Sequence, residues 1–156
     1  MILIAVMALS LAGTPQQPAA KRPAPLQLHD QSQKILRHEQ ELLKAAESEH
    51  RADGAAAFEV AMQLSRVAAE AADAVSVMSD LTSIEQRLAC AADRSAVSPT
   101  VQARLSYTVR RLDLLIRSVS SHLTFTKSAG IGKSAKSLLE ALQESRTFLA
   151  ALLRAR

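Results

Sequence analysis

With 156 residues, 48% of them hydrophobic and 22% charged, the chain can bury one core and is too short for two comfortable domains. Four glycines, 3% aromatics and no run of alternating β-branched residues exclude a β-rich fold and leave Leu, Val, Ile, Met and Ala to fill the interior of an all-α protein. The formal charge of +4 hides a division: Gln27 to Val97 holds 7 Lys/Arg against 12 Asp/Glu, while Ser98 to Arg156 holds 10 against 3. Two oppositely charged halves either pack against each other or leave a basic surface for an acidic partner or anionic headgroups. Nucleic acid fits poorly, because the basic half has almost no aromatics for base stacking.

Residues 1–12, MILIAVMALSLA, form an apolar run too short to span a bilayer and read as the core of a secretory leader, although no Lys or Arg precedes it. Residues 13–27 carry four of the five prolines and read as a flexible tether. The bundle domain is expected over 28–156. Its first helix, Leu28 to His50, starts at an Asp30 cap with Gln33 three residues on, and buries Ile35, Leu42 and Ala45 or Ala46, with Leu36 and Leu43 beside them. Asp53-Gly54 signals a reversal, with Gly54 free to take a positive φ and Asp53 able to cap the next helix.

The second helix is the long one. Between Gly54 and Pro99 there is neither Gly nor Pro, and Val60, Leu64, Val67, Ala71, Ala74, Met78 and Leu81 alternate steps of four and three, a heptad-like stripe. Its many alanines predict the tightest helix contact of the bundle. Near the end Glu85 interrupts the stripe, and Ile84 and Leu88 are expected to continue the buried face. Cys90, the only cysteine, is expected to be buried near this helix end. A connection over Ala91 to Val97 leads to Ser98 and Pro99, a favoured cap and first-turn pair.

The third helix should bury Val101, Leu105, Thr108, Leu112, Leu115, Val119 and His122, again by fours and threes. Arg104 and Arg111 share one edge, Arg110 and Arg117 another. Gly130 and Gly132 are expected to end it and Ser134 to cap the fourth, which buries Ala135, Leu138, Leu142, Ser145, Leu149 and Leu152, widened by Phe148 and Leu153. Four helices on short turns predict an antiparallel four-helix bundle with one long central helix.

Chemical motifs are sparse. Gly130 to Ser134, GIGKS, resembles the end of a phosphate-binding loop, but Lys127 stands where that loop needs Gly and no strand precedes it. His122, on an apolar stripe, could pair with Met62 or Met78 of the long helix as axial ligands of haem iron or as part of a metal site. The reading that fits best is a non-enzymatic, exported helical interaction protein of the bacterial cell envelope, periplasmic or secreted: an adaptor, assembly or chaperone-like component. Its partner would be an acidic protein met by Arg104, Arg110, Arg111 and Arg117. A homo-oligomer through helix faces and an anionic membrane surface are further expectations. The haem- or metal-binding bundle is the first alternative, and a helical sensor or secretion-apparatus subunit the second.

Overall fold

The computed structural model describes residues 23–51, 54–90 and 97–155; the leader, most of the tether, Asp53 and the 91–96 connection lie outside them. Four helices account for nearly all of these residues: α1 (Ala24–Arg51), α2 (Ala55–Cys90), α3 (Val97–Phe125) and α4 (Ala129–Arg154). Cross-helix bonds fix their directions. Ser79 Oγ donates to the Pro25 carbonyl at 2.9 Å and Ser32 Oγ to the Ala72 carbonyl at 3.0 Å, so α1 rises as α2 descends. Lys34 meets Glu144 at 2.5 Å, and the Ser128 hydroxyl donates to Glu49, which makes α4 antiparallel to α1. The Glu70–Arg111 pair and the Arg146–Asp113 pair at 3.0 Å complete an antiparallel four-helix bundle whose longest member, α2, has 36 residues and spans about 54 Å. Besides α1 and α3 it also touches α4 across the diagonal.

The core is aliphatic. Leu28, Ile35 and Leu42 from α1 meet Leu64, Val75 and Met78 from α2, Leu105 and Leu112 from α3, and Leu138, Leu142 and Leu149 from α4, all fully buried. The α3 stripe from Val101 to Val119 is buried as its spacing predicts, while His122 is only half-buried. On α4, Ile131 and Ala141 join the expected set, and Leu152 packs at its margin.

In α2 the buried stripe runs through Ala61, Leu64, Ala68, Ala71, Val75, Met78 and Thr82. The expected positions Leu64, Ala71 and Met78 hold; Val60, Val67, Ala74 and Leu81 give way to the next residue along in each case. Size explains three of the four changes, since Ala61, Ala68 and Thr82 are smaller than Val60, Val67 and Leu81, while Val75 is larger than Ala74. The helix turns its Ala and Ser side toward α1, and the backbones approach closely enough for a serine of α1 to reach a carbonyl of α2. The two helices make the most extensive contact in the bundle. Hydroxyls carried into this seam are satisfied locally: Ser65 donates to the Met62 carbonyl at 2.9 Å and Thr82 to that of Met78 at 2.8 Å. Thr82 is the last buried residue of α2, so Ile84 does not continue the buried face but projects into solvent, and Cys90 is exposed rather than buried.

Helix ends also differ from expectation. Helix α1 begins at Ala24, because Pro25 in the first turn lacks only an N–H that would be unsatisfied there, and the Gln27 amide donates to the Pro23 carbonyl at 3.2 Å. Asp30 therefore lies inside the helix and is not its cap. The Ser98 side chain lies outside the described atoms, but α3 already starts at Val97. Gly130 and Gly132 open α4 instead of ending α3, and its cap is Ser128, not Ser134: Ser128 Oγ accepts from the Ile131 amide at 3.4 Å.

Gly54 joins α1 to α2 without a left-handed conformation. Its amide donates to the Glu49 carbonyl at 2.9 Å, closing α1, and its own carbonyl accepts the Phe58 amide at 2.9 Å, opening α2. A Cβ here would lie 2.9 Å from Glu49 Oε2 and 3.1 Å from the Glu49 carbonyl, while the other Glu49 oxygen is held by Ser128. Gly54→Ala should therefore lower stability by about 1 kcal/mol by displacing the Glu49 carboxylate. Urea unfolding reads this directly, and an unchanged midpoint would contradict it.

Candidate partner interface

Helix α3 carries two stripes with one rhythm. Residues Val101, Leu105, Thr108, Leu112, Leu115 and Val119 face the core; two positions on from each of them, Ala103, Tyr107, Arg110, Leu114, Arg117 and Ser121 face solvent. A helix whose outer face is merely solvated has no need of large apolar residues one heptad apart. Tyr107 is 55% exposed and Leu114 52% exposed, and Arg110 and Arg117 alternate with them along the ridge.

The four arginines separate by angle around α3. Arg111 turns toward α2, where its guanidinium is hydrogen-bonded to and paired with the Glu70 carboxylate. That bond first, and the carboxylate's charge second, hold Arg111 above the ordinary guanidinium value. The shift is upward, so what this guanidinium contributes is complete below its unfolded value and is lost only in strong alkali, which leaves it no part in pH dependence near neutrality. Arg104 is exposed and sits 5.2 Å from the Tyr107 ring centroid, on the wall of a shallow depression that also includes Pro99, Thr100 and Ala103. Arg110 and Arg117 have no carboxylate partner among the described residues. Asp113, which could have served them, faces α4 and binds Arg146.

Charge complementarity between the halves is thus met inside the bundle mainly at Arg111 and Glu70. The Lys34–Glu144 pair, which joins α1 to α4, has its signs reversed, with the lysine on the acidic half and the glutamate on the basic half. Of the four arginines expected to meet a partner, Arg110 and Arg117 share the outer ridge, Arg104 is exposed at its margin beside Tyr107, and Arg111 is a bundle contact. Tyr107 and Leu114 were missed by sequence reasoning, although the repeat of the four-three rhythm two residues off the core stripe could have shown them.

The His122 and methionine set is not assembled. His122 Nδ1–H donates to the Ser118 carbonyl at 2.8 Å, and Nε2 lies 2.7 Å from Gln63 Oε1. Met62 is near that level, but Met78 lies fifteen residues beyond Gln63, about 22 Å along α2, sealed in the core. Of the other histidines, His38 Nδ1 is 3.1 Å from Glu41 and the His50 ring packs on Phe58 at 5.1 Å. Among the described residues, no group of three or more His, Cys, Asp or Glu is placed to hold a metal ion, and no helix is long and apolar enough to cross a membrane.

The fold and this edge together define a four-helix bundle presenting a basic ridge studded with apolar side chains. Comparison with family models, with curated proteins and with solved structures finds no match, so function is argued from the ridge.

Proposed function

We propose that this chain is a non-enzymatic interaction protein of the bacterial cell envelope, exported by its apolar leader, that docks an acidic protein partner along the outer ridge of α3. One observation carries the reading: Arg110 and Arg117, with no carboxylate partner among the described residues, alternate with exposed Tyr107 and Leu114. Desolvating two large apolar side chains provides the drive, and flanking cations select an acidic surface and exclude a basic one. Arg104, stacked at the Tyr107 ring, adds a cation at the margin of the ridge.

Replacing Arg104, Arg110 and Arg117 together by Glu tests it. These side chains are exposed, so helicity and the unfolding midpoint should remain within experimental scatter. A partner that co-purifies from the envelope at fixed stoichiometry should be lost. Unchanged co-purification would overturn the basic-ridge reading.

A further inference from the structure

We propose that the acidic partner of the α3 ridge is the outer ridge of α2 on a second copy of this chain. This rests on the reading of the α3 ridge as a docking surface and names its occupant. The outward face of α2 repeats the pattern of α3 with the charge inverted. Asp73, Asp80 and Ile84 are exposed and Val77 is half-buried, with Ile84 left 47% exposed beyond the last buried residue of α2. Neither Asp73 nor Asp80 has a cationic partner among the described residues.

Laid antiparallel, the two ridges match over four layers to within one residue. Ile84 falls on Tyr107, Asp80 on Arg110, Val77 on Leu114 and Asp73 on Arg117, so apolar meets apolar and acid meets base at every step. A parallel arrangement keeps the charge pairs but sets Ile84 against Ser121 and Glu70 against Tyr107. Two copies of the α3 ridge cannot pair with each other in this way, since each would present Arg110 and Arg117 to like charges. Glu70 belongs to the Arg111 pair and is not spent on the contact.

Every copy carries one ridge of each kind on neighbouring helices. The two surfaces in contact differ, so the contact is heterologous, and a bound pair still offers one free α3 ridge and one free α2 ridge to others, which is the geometry of head-to-tail assembly. Asp73 to Ile84 spans only about 16 Å, so a single contact falls below the roughly 1,000 Å² of a stable interface and is weak and salt-sensitive.

Sedimentation of the full chain decides it. At about 0.5 mM protein and about 0.05 M salt the mean mass should exceed the monomer and fall back when salt is raised to about 0.5 M. Arg110→Asp with Arg117→Asp, and separately Asp73→Arg with Asp80→Arg, should each weaken association about tenfold or more. All four changes combined should restore it, because the signs are exchanged and the layers kept. Leu114→Ser, which changes no charge, should weaken it as well. A wild-type chain that stays monomeric, or an Asp73→Arg, Asp80→Arg variant that assembles like wild type, overturns the proposal. If in either case a photoreactive residue at Leu114 still crosslinks to a foreign protein, and arginine reversal abolishes that adduct, the docking reading stands and only its occupant is wrong. If no adduct forms at Leu114, both fall.

Discussion

Leu112→Ala should cost the bundle about 2–5 kcal/mol, read as a fall in the urea or thermal midpoint with the circular dichroism of the folded state retained at low temperature. Leu112 is fully buried near the middle of α3, among leucines contributed by the other helices. The loss therefore combines the transfer of the missing carbons with the cavity they leave, and it is large against a typical domain stability of about 5–15 kcal/mol. An effect below about 1 kcal/mol would mean that the helices close over the gap, and would contradict a tightly packed core.

The second large effect has the opposite cause. Ala72→Leu should destabilise by about 1–3 kcal/mol through overpacking, although it adds apolar surface. Ala72 is 2% exposed, and its carbonyl accepts the Ser32 hydroxyl at 3.0 Å. A leucine there forces α1 away from α2 and strands that hydroxyl in the seam, adding about 1 kcal/mol or more to the loss. Ala55→Leu, on the exposed first turn of the same helix, is the control and should change stability by less than about 0.5 kcal/mol. Equal behaviour of the two variants in urea unfolding would show that the seam is not tight.

Both effects depend on which face of a helix is buried, and the four helices were not equally legible on that point. The α3 stripe could be read outright, because its apolar residues are large and evenly spaced from Val101 to Val119. In α2 the choice lay between bulky Val60, Val67 and Leu81 and the small or hydroxylated Ala61, Ala68 and Thr82. Hydrophobicity favours the first set, but close approach of α1 favours the second, and that approach is a property of the pair of helices rather than of either alone. Ser65 and Ser79 are buried because a carbonyl of the neighbouring turn or helix is within reach.

Caps failed for a related reason. Asp30 and Ser134 are acceptable caps in isolation, but Pro25 starts α1 earlier and Ser128 starts α4 earlier, so both positions became interior. Ser128 owes its place partly to Glu49, seventy-nine residues away, which accepts its hydroxyl and which no local window contains.

The candidate interface was half legible. The division of the arginines into two edges comes from spacing alone, and Arg110 and Arg117 do share the outer ridge. That Arg111 would be taken by Glu70 depends on the juxtaposition of α2 and α3, which spacing within α3 does not contain. The His122 pairing failed at Met78 because axial level along a bundle is set by all three turns together.

The most direct test of the docking ridge is site-specific photocrosslinking in cells, with a photoreactive residue at Leu114 and, as a control, at Gln33 on the exposed side of α1. A discrete adduct from Leu114, absent from Gln33 and abolished by Arg110→Glu with Arg117→Glu, is the predicted result. No adduct at Leu114, or the same adducts from both positions, would mean that the outer ridge of α3 is a solvated face and not a binding surface.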